Sequence, residues 1–326
     1  MKKTVKYALI GTAAAGCTAA AAVVGFKLAL RGILREALDR RELPIVQKTR
    51  ERMLNNALPE ETRAEAETLT DALIAGADEA AEIDSFDGTH LVAHIHRAAH
   101  PKRIIVAMHG WRSSWTHDFS VISPFFWDND STVLYAEQRG QGMSEGAFMG
   151  FGMIERHDCV AWTNYAREHL GADLPIYLVG ISMGASTVLM ASGDEKLPPN
   201  VRGIIADCGF TSAKEIWRHV STDSLHLAFD GPIEKEATAL CKKWLSMEPD
   251  AYSTLDAMAV CKTPILFIHG KNDGFVPCFM SEENYAACQA PKRILLVDGA
   301  DHGLSYIVDR AAYEAAVLDF WQTYDA

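Results

Sequence analysis

The sequence predicts an α/β fold in which helices cover both faces of a mostly parallel central sheet. The first observation is a series of six short apolar runs that end in glycine or polar residues: "RIIVAMHG", "STVLYAEQRG", "IYLVGIS", "VRGIIADCG", "PILFIHG" and "RILLVDG". The second is that helical patterns such as "MIERHDCVAWTNYAREHL" lie between most of them. Near-continuous apolar strands separated by helices are typical of a parallel sheet buried on both faces. The third is the composition, because 48% hydrophobic and 23% charged residues in a chain of 326 indicate a globular protein with a sizeable core.

Residues 1–30 stand apart from this body, and we interpret them as a membrane anchor or signal segment. After the basic start "MKKTVK", residues 7–26 carry no charge. A helix of that length spans roughly 30 Å, about the thickness of the hydrocarbon layer of a bilayer. An uncleaved anchor is favoured because the apolar run passes every plausible cleavage site, and a cleaved secretory signal is the alternative. A lipoprotein signal at Cys17 fits less well, since Ala14 stands where leucine is usual.

The orientation of this segment is not fixed by the sequence. Lysine and arginine residues flank it on both sides, so the positive-inside rule favours neither direction. We expect a protein anchored by this single segment with its body outside the cytoplasm. Attachment at the cytoplasmic face and secretion are the alternatives.

The rest of the chain divides into a connector and a main domain. Residues 31–80 are rich in Ala, Leu, Glu and Arg and predict a helical connector, whose second helix begins near Pro59. Residues 81–326 form the α/β domain, which opens with a hairpin at Asp87-Gly88. No internal repeat is visible outside the alanine-rich first segment.

A long insertion at about residues 208–262 follows the run "VRGIIADCG", which is the sixth predicted strand when the two strands of the hairpin are counted. Long connections in compact domains usually serve as lids or binding loops, and this one contains two helical patterns. We therefore predict a small helical lid. Its Trp217, Phe229 and Trp244 are candidates for the roof of a substrate pocket, although each could instead pack the insertion onto the body.

The pattern Gly180-Ile181-Ser182-Met183-Gly184 lies between a predicted strand and a predicted helix. It is either a tight structural turn or a nucleophile elbow, in which a strained turn presents the serine and its neighbours must be small. The N-terminus of the following helix would favour developing negative charge at this point.

A serine nucleophile needs a base, and the base needs a carboxylate that orients it. Asp273 and His302 follow the ends of the next two predicted strands after the insertion, so the chain order is Ser, Asp, His. Carboxyl ends of parallel strands meet at one edge of the sheet, which would bring the three together. Asp207, at the end of another strand, is a competitor for the acid, and Asp301 is interpreted as a loop residue.

An oxyanion intermediate needs two backbone N–H groups aimed at it. We expect one from Met183, the residue after the nucleophile, and the other from Trp111 in the "HGW" loop after the first parallel strand. His109 and Gly110 would shape that loop without acting chemically.

The motifs "HGW", "EQRGQGMSEG", "GISMG", "ADCGFTS", "HGKNDGFVP" and "GADHG" together resemble the α/β-hydrolase superfamily over about residues 80–320. The likeness is to a bacterial serine-hydrolase branch with a short lid and an N-terminal membrane segment. It implies Ser182 as nucleophile, Asp273 as acid and His302 as base. One departure is Glu137, where this loop often carries aspartate, and it leaves the triad assignment intact.

Other classes of ligand are disfavoured. The net charge of −12 argues against nucleic acid, because phosphate binding needs a basic face. No nucleotide-binding glycine motif is present, and seven scattered cysteines without a CxxC pair match neither a zinc site nor a complete disulfide framework. His94 and His96 share a strand face, but no cysteine or carboxylate completes a ligand set, so we expect neither metal nor cofactor.

These observations predict a serine hydrolase, and most directly a carboxylic ester hydrolase that works through an acyl-enzyme. A serine peptidase or an acyltransferase would use the same triad and stays open, as does a non-catalytic, membrane-tethered binding protein. The partner is expected to be a small-molecule or peptide acyl substrate. Oligomeric state cannot be inferred from the sequence.

Overall fold

A computed structural model describes residues 30–44 and 60–325, together with positions 25, 28, 47 and 48. The predicted anchor, residues 1–30, lies almost entirely outside these residues. Within the described part of the chain, no helix combines the length and the apolar character that crossing a bilayer requires.

An eight-stranded sheet forms the centre of the molecule, in the order β1-β2-β4-β3-β5-β6-β7-β8. Strand β2 runs antiparallel to β1 and β4, and all other pairs are parallel. The mostly parallel sheet predicted from the sequence is thereby confirmed. The strands are β1 Glu79–Asp84, β2 His90–His96, β3 Arg103–Met108, β4 Ser131–Ala136, β5 Ile176–Ile181, β6 Val201–Asp207, β7 Ile265–Gly270 and β8 Lys292–Val297.

Helices cover both faces of the sheet, as predicted. Successive strand residues point to opposite faces, so Ile104 and Val106 of β3 pack on one side while Ile105 packs on the other. Every residue of β3, β4 and β7 is buried, which explains why these strands read as continuous apolar runs. The helices are α1 at residues 30–38, α2 Glu60–Gly76, α3 Trp115–Phe119, α4 Ser123–Asp128, α5 Glu155–Leu170, α6 Met183–Ala191, α7 Ala213–His219, α8 Gly231–Leu245, α9 Thr254–Met258, α10 Phe279–Ala287, α11 Ser305–Val308 and α12 Arg310–Tyr324.

A third apolar cluster lies above the carboxyl ends of the strands. The connection from β6 to β7, which contains α7, the π-helical turn Val220–Ser224 and α8, supplies half of its buried residues. Helix α1 packs into the same cluster through Leu30, Leu34 and Leu38, all buried. Part of the segment expected to be a connector is therefore packed against the predicted lid.

Candidate active site

Ser182 occupies a strained turn between β5 and α6. Its backbone has φ 57° and ψ −118°, on the side of conformational space that residues with a side chain rarely adopt. Glycine is required on both sides of Ser182, because there is no room for a Cβ atom at either position. A Cβ on Gly184 would lie 1.9 Å from the carbonyl oxygen of Met108, and one on Gly180 would lie 2.2 Å from the carbonyl oxygen of Gly184. The sequence pattern is thus explained by the close approach of α6 to β3 and β5.

The structure brings Ser182, His302 and Asp273 into one hydrogen-bonded line. Ser182 Oγ lies 2.9 Å from His302 Nε2, and His302 Nδ1 lies 2.7 Å from Asp273 Oδ2. The Asp273 side chain is fully buried, while that of His302 is 24% exposed. Each residue follows the carboxyl end of a parallel strand, so residues far apart in sequence converge at one edge of the sheet.

Asp273 is fixed by groups other than His302. Its Oδ1 accepts the backbone N–H groups of Phe275 at 2.9 Å and Val276 at 2.8 Å. Its Oδ2 also lies 3.1 Å from Nε2 of His269, a buried side chain of β7. Burial alone would raise the pKa of Asp273, but its hydrogen bonds with His269 and His302 outweigh that effect and hold the pKa well below its usual value. The carboxylate therefore stays ionised.

Sequence reasoning passed over His269, which shares the "IHGKND" stretch with Asp273. Its Nε2 lies near two acceptors, the Asp273 carboxylate and the carbonyl of Val276 at 2.9 Å, so the proton is assigned to Nε2. Its Nδ1 then accepts the hydroxyl of Ser281 at 2.7 Å. The sequence signal that could have revealed it is the spacing of four residues between His269 and Asp273. A side chain near the end of a strand can reach a carboxylate on the loop that directly follows that strand.

His302 is tuned to gain a proton more readily than an ordinary histidine. Burial by itself would lower its pKa, but the hydrogen bond and negative charge of Asp273, helped by the charges of Asp207 and Asp118, raise the pKa above its usual value. A more basic imidazole is better suited to accept the proton of Ser182.

Neither alternative acid is bonded to the imidazole ring. Asp207 is buried and accepts the hydroxyl of Ser305 at 3.2 Å, and burial raises its pKa to about 6. The Oδ1 of Asp301 accepts the backbone N–H of Gly274 at 3.1 Å and that of His302 at 2.8 Å, which is a loop-closing role.

The two residues expected to supply the oxyanion amides lie near Ser182, since Met183 follows it in the chain and Trp111 lines the same cavity. Met183 is the first residue of α6, where helix N–H groups have no partner within the helix. The loop of Trp111 is held by Asp118, which accepts the N–H of Gly110 at 2.6 Å. Among the described residues, neither the Trp111 nor the Met183 N–H donates to another protein group. Both remain available to a bound oxygen.

An apolar cavity of roughly 130 Å³ opens beside Ser182. Two of the three candidate pocket residues, Trp217 and Phe229, line it. Trp244 does not, because its ring stacks on Phe148 with the planes 8° apart and the centroids 5.6 Å apart. Besides Ser182, the other lining residues are Leu30, Ile33, Leu34, Ala37, Trp111, Phe151, Phe210, Ile216, Val220, Ser221, Leu225, Leu227, Ile233 and Phe275.

The histidines of β2 have separate partners. His94 Nε2 lies 2.8 Å from Glu137 Oε1, and His96 Nδ1 lies 2.8 Å from the carbonyl of Gly76. Glu137, the one departure from the family pattern, is thus a structural partner.

A second group of possible metal ligands lies in the candidate active site itself. The ligand atoms of Cys208, Asp273 and His302 are within 4.8 Å of one another. However, burial raises the pKa of the Cys208 thiol well above its usual value, so the thiolate that a metal needs is disfavoured. The other two residues are hydrogen-bonded to each other.

Comparison with known proteins agrees with this architecture. Residues 99–228 match the family model described as serine aminopeptidase, S33. The protein YqkD of Bacillus subtilis is 27% identical over 198 residues, which cover 60% of this chain. The match spans 63% of the length of that relative, somewhat less than two thirds.

Solved structures show the same fold. The Pyrococcus furiosus esterase Pf2001 superposes with a TM-score of 0.62 at 17% identity, over 76% of this chain and 91% of that one. Est1E of Butyrivibrio proteoclasticus, solved with ferulic acid bound, gives a TM-score of 0.58 at 18% identity over 75% of this chain and 98% of its own. The sheet order, the helical layers and the likeness to these solved structures together show that the chain has the α/β-hydrolase fold.

Proposed function

We propose that the protein is a serine hydrolase that cleaves carboxylic esters through an acyl-enzyme. The observation that carries the proposal is the hydrogen-bonded line from Ser182 Oγ through the His302 imidazole to the Asp273 carboxylate. This is the arrangement in which a base can take the serine proton while a buried carboxylate holds the correct tautomer.

In the first half of the proposed reaction, Ser182 Oγ attacks the ester carbonyl and its proton passes to His302 Nε2. Asp273 stabilises the imidazolium that forms, and the backbone N–H groups of Met183 and Trp111 donate hydrogen bonds to the developing oxyanion. His302 then gives the proton to the leaving alcohol. In the second half, water attacks the acyl-enzyme by the same route, and Ser182 is regenerated with release of the acid.

The pocket supports an ester rather than the terminus of a peptide. An aminopeptidase, the activity in the description of the matching family, must bind a substrate ammonium group, and a buried ammonium needs a carboxylate partner. None of the described residues that line the cavity is charged. Of the structural neighbours, Pf2001 is itself named as an esterase, and Est1E was solved with a carboxylic acid, ferulic acid, bound.

The decisive test is the Ser182→Ala variant assayed with p-nitrophenyl esters. We expect turnover to fall by about 10⁴-fold or more, because the triad acts as a unit. Thr68→Ala removes a hydroxyl from an exposed position of α2 outside the cavity lining, serves as the control and should behave like the unmodified protein. Labelling by a fluorophosphonate should depend on Ser182. An unlabelled native protein would favour the non-catalytic binding role, and faster cleavage of aminoacyl anilides than of esters would favour the peptidase.

We further propose that residues 1–30 attach the protein to a membrane. The support is the uncharged run at 7–26 between basic flanks. Membrane fractions washed with alkaline carbonate should retain the full chain, whereas release by the wash would contradict anchoring. Protease accessibility in intact cells and in lysed cells then distinguishes the two faces of the membrane.

A further inference from the structure

Helix α1 contributes one wall of the apolar cavity although it lies nearly 150 residues before Ser182 in the sequence. Its lining residues are Leu30, Ile33, Leu34 and Ala37. They follow the spacing i, i+3, i+4 and i+7, which places them on a single face of a helix. The opposite walls come from α7, the π-helical turn and the loop that follows it.

The end of α1 is attached to the oxyanion loop. The indole N–H of Trp111 donates to the carbonyl of Ala37 at 2.8 Å. The guanidinium of Arg112 donates through Nε to the carbonyl of Glu36 at 3.1 Å and through Nη2 to that of Asp39 at 2.8 Å. The last carbonyls of a helix have no partner within it, so these bonds satisfy groups that would otherwise need water.

Two further observations show that this attachment is a built part of the site. Arg112 is 9% exposed, and its φ of 49° lies in a region that is unfavourable for residues with a side chain. Such a conformation persists only where the surrounding contacts stabilise it. The carbonyl of Leu38 accepts the N–H of Met149 at 2.7 Å. All four carbonyls from residue 36 to residue 39 are thus bonded to the catalytic body.

We infer that α1 is the specificity-determining wall of an acyl pocket, and that the substrates are esters of uncharged aliphatic acids of short to medium length. This inference rests on the proposed function. The lining carries no charged side chain, and its polar groups are the hydroxyls of Ser182 and Ser221 and the indole N–H groups of Trp111 and Trp217, of which that of Trp111 is bonded to the Ala37 carbonyl. A charged acyl group would therefore lose its hydration without a compensating charge. A straight aliphatic chain loses little and gains the full benefit of burial.

The size of the cavity sets the expected chain length. A protein cavity of about 150 Å³ lined by aliphatic and aromatic side chains accommodates benzene, a group of about six carbons. The cavity beside Ser182, at roughly 130 Å³, is of similar size. Burial of one methylene corresponds to a factor of about four in kcat/KM. The rate should therefore climb from acetyl to about hexanoyl esters and fall for longer chains.

Ile33 offers the sharpest test because it lines the cavity and yet is 44% exposed, so a larger side chain there should not prevent folding. Ile33→Trp should lower kcat/KM for both hexanoyl and acetyl esters, and we expect the fold loss for hexanoyl esters to be larger by about tenfold or more. The tryptophan would occupy the space that several methylenes of the longer acyl chain would fill. Ile33→Ala should move the optimum toward longer chains. Leu43→Trp, at an exposed leucine of the same segment outside the cavity, is the matched control and should keep the native profile.

A small fluorophosphonate separates the possible failures, because it reacts with Ser182 without filling the chain pocket. Labelled variants whose chain-length profile shifts as described support the inference. If all variants label and hydrolyse esters with the native profile, α1 is not the specificity wall and the inference is wrong. If the native protein neither labels nor hydrolyses any ester, the proposed function itself has failed.

Discussion

At the scale of single residues, the proposed mechanism makes the reactivity of Ser182 depend on the protonation state of His302. The imidazole must be neutral to accept the serine proton, so activity should fall on the acid side as His302 becomes protonated. Because its neighbours raise the pKa of His302 above 6.5, the acid limb of kcat/KM against pH should lie above that value. A limb centred below it would show that burial of the ring outweighs the effect of Asp273 on its pKa.

Asp207 provides a way to move this limb. Its pKa is raised to about 6 by burial, so above that pH it carries a negative charge that favours the imidazolium form of His302. Asp207→Asn removes the charge and can still accept from Ser305, so the pKa of His302 should fall and the acid limb should shift to lower pH. The measurement is kcat/KM across pH. Asp298→Asn, an exposed residue after β8, should leave the limb in place, and an unmoved limb in Asp207→Asn would contradict the electrostatic link.

His269 is expected to act as a positioning residue for Asp273. His269→Leu removes the Nε2–H donor and leaves buried acceptors unsatisfied, which should lower the free energy of unfolding by about 1–3 kcal/mol. It should also lower kcat, because Asp273 loses one of the groups that fix it. His269→Gln retains an N–H donor and should recover part of kcat. Urea unfolding together with steady-state kinetics tests both effects. Equal kcat in the two variants would assign His269 a packing role only.

At the scale of elements, the turn from β5 into α6 tolerates almost no change. Gly184→Ala would place a methyl group 1.9 Å from the Met108 carbonyl, so α6 would have to move away from β3. We expect a loss of several kcal/mol in stability, on the order of an overpacked core, together with loss of activity. Gly32→Ala is the matched control, because nothing lies within 4 Å of the added methyl group. It should stabilise α1 by up to about 1 kcal/mol. Thermal unfolding distinguishes them, and an unaltered Gly184→Ala would refute the steric explanation.

The elements that the sequence predicted well are those whose signal is local. The strands β3, β4 and β7 are continuous apolar runs because both faces of the sheet are covered there, and the elbow is recognisable because only glycine fits at two of its positions. The side-chain partners were harder to predict. Trp217 and Trp244 lie on the same insertion and have the same chemistry, yet only the first faces the cavity. Tertiary packing decides which face of α7 and of α8 contacts the rest of the domain. The local sequence pattern does not contain that information.

At the scale of the whole molecule, the main feature that the sequence did not reveal is the place of α1. Its residues are helix-forming and amphipathic, which is compatible with a free connector as well as with a packed wall. The distinction depends on partners more than 70 residues away, chiefly Trp111 and Arg112. Such contacts have no fixed spacing along the chain, whereas strand ends of a parallel sheet converge by topology and made Asp273 and His302 predictable.

The hydrogen bonds of Arg112 to the end of α1 should stabilise both this helix and the whole fold. Arg112→Ala removes the donors for the carbonyls of Glu36 and Asp39, so hydrogen exchange at residues 30–41 should accelerate while the central sheet keeps its protection. The free energy of unfolding should fall by about 1–3 kcal/mol, because buried carbonyls lose their partners. Arg112→Lys should restore part of the protection, and Arg167→Ala, at an exposed position of α5, should change neither quantity. Since the same loop carries the Trp111 amide, kcat should fall together with the protection of α1. Faster exchange with an unchanged kcat would mean that the helix and the oxyanion loop are independent.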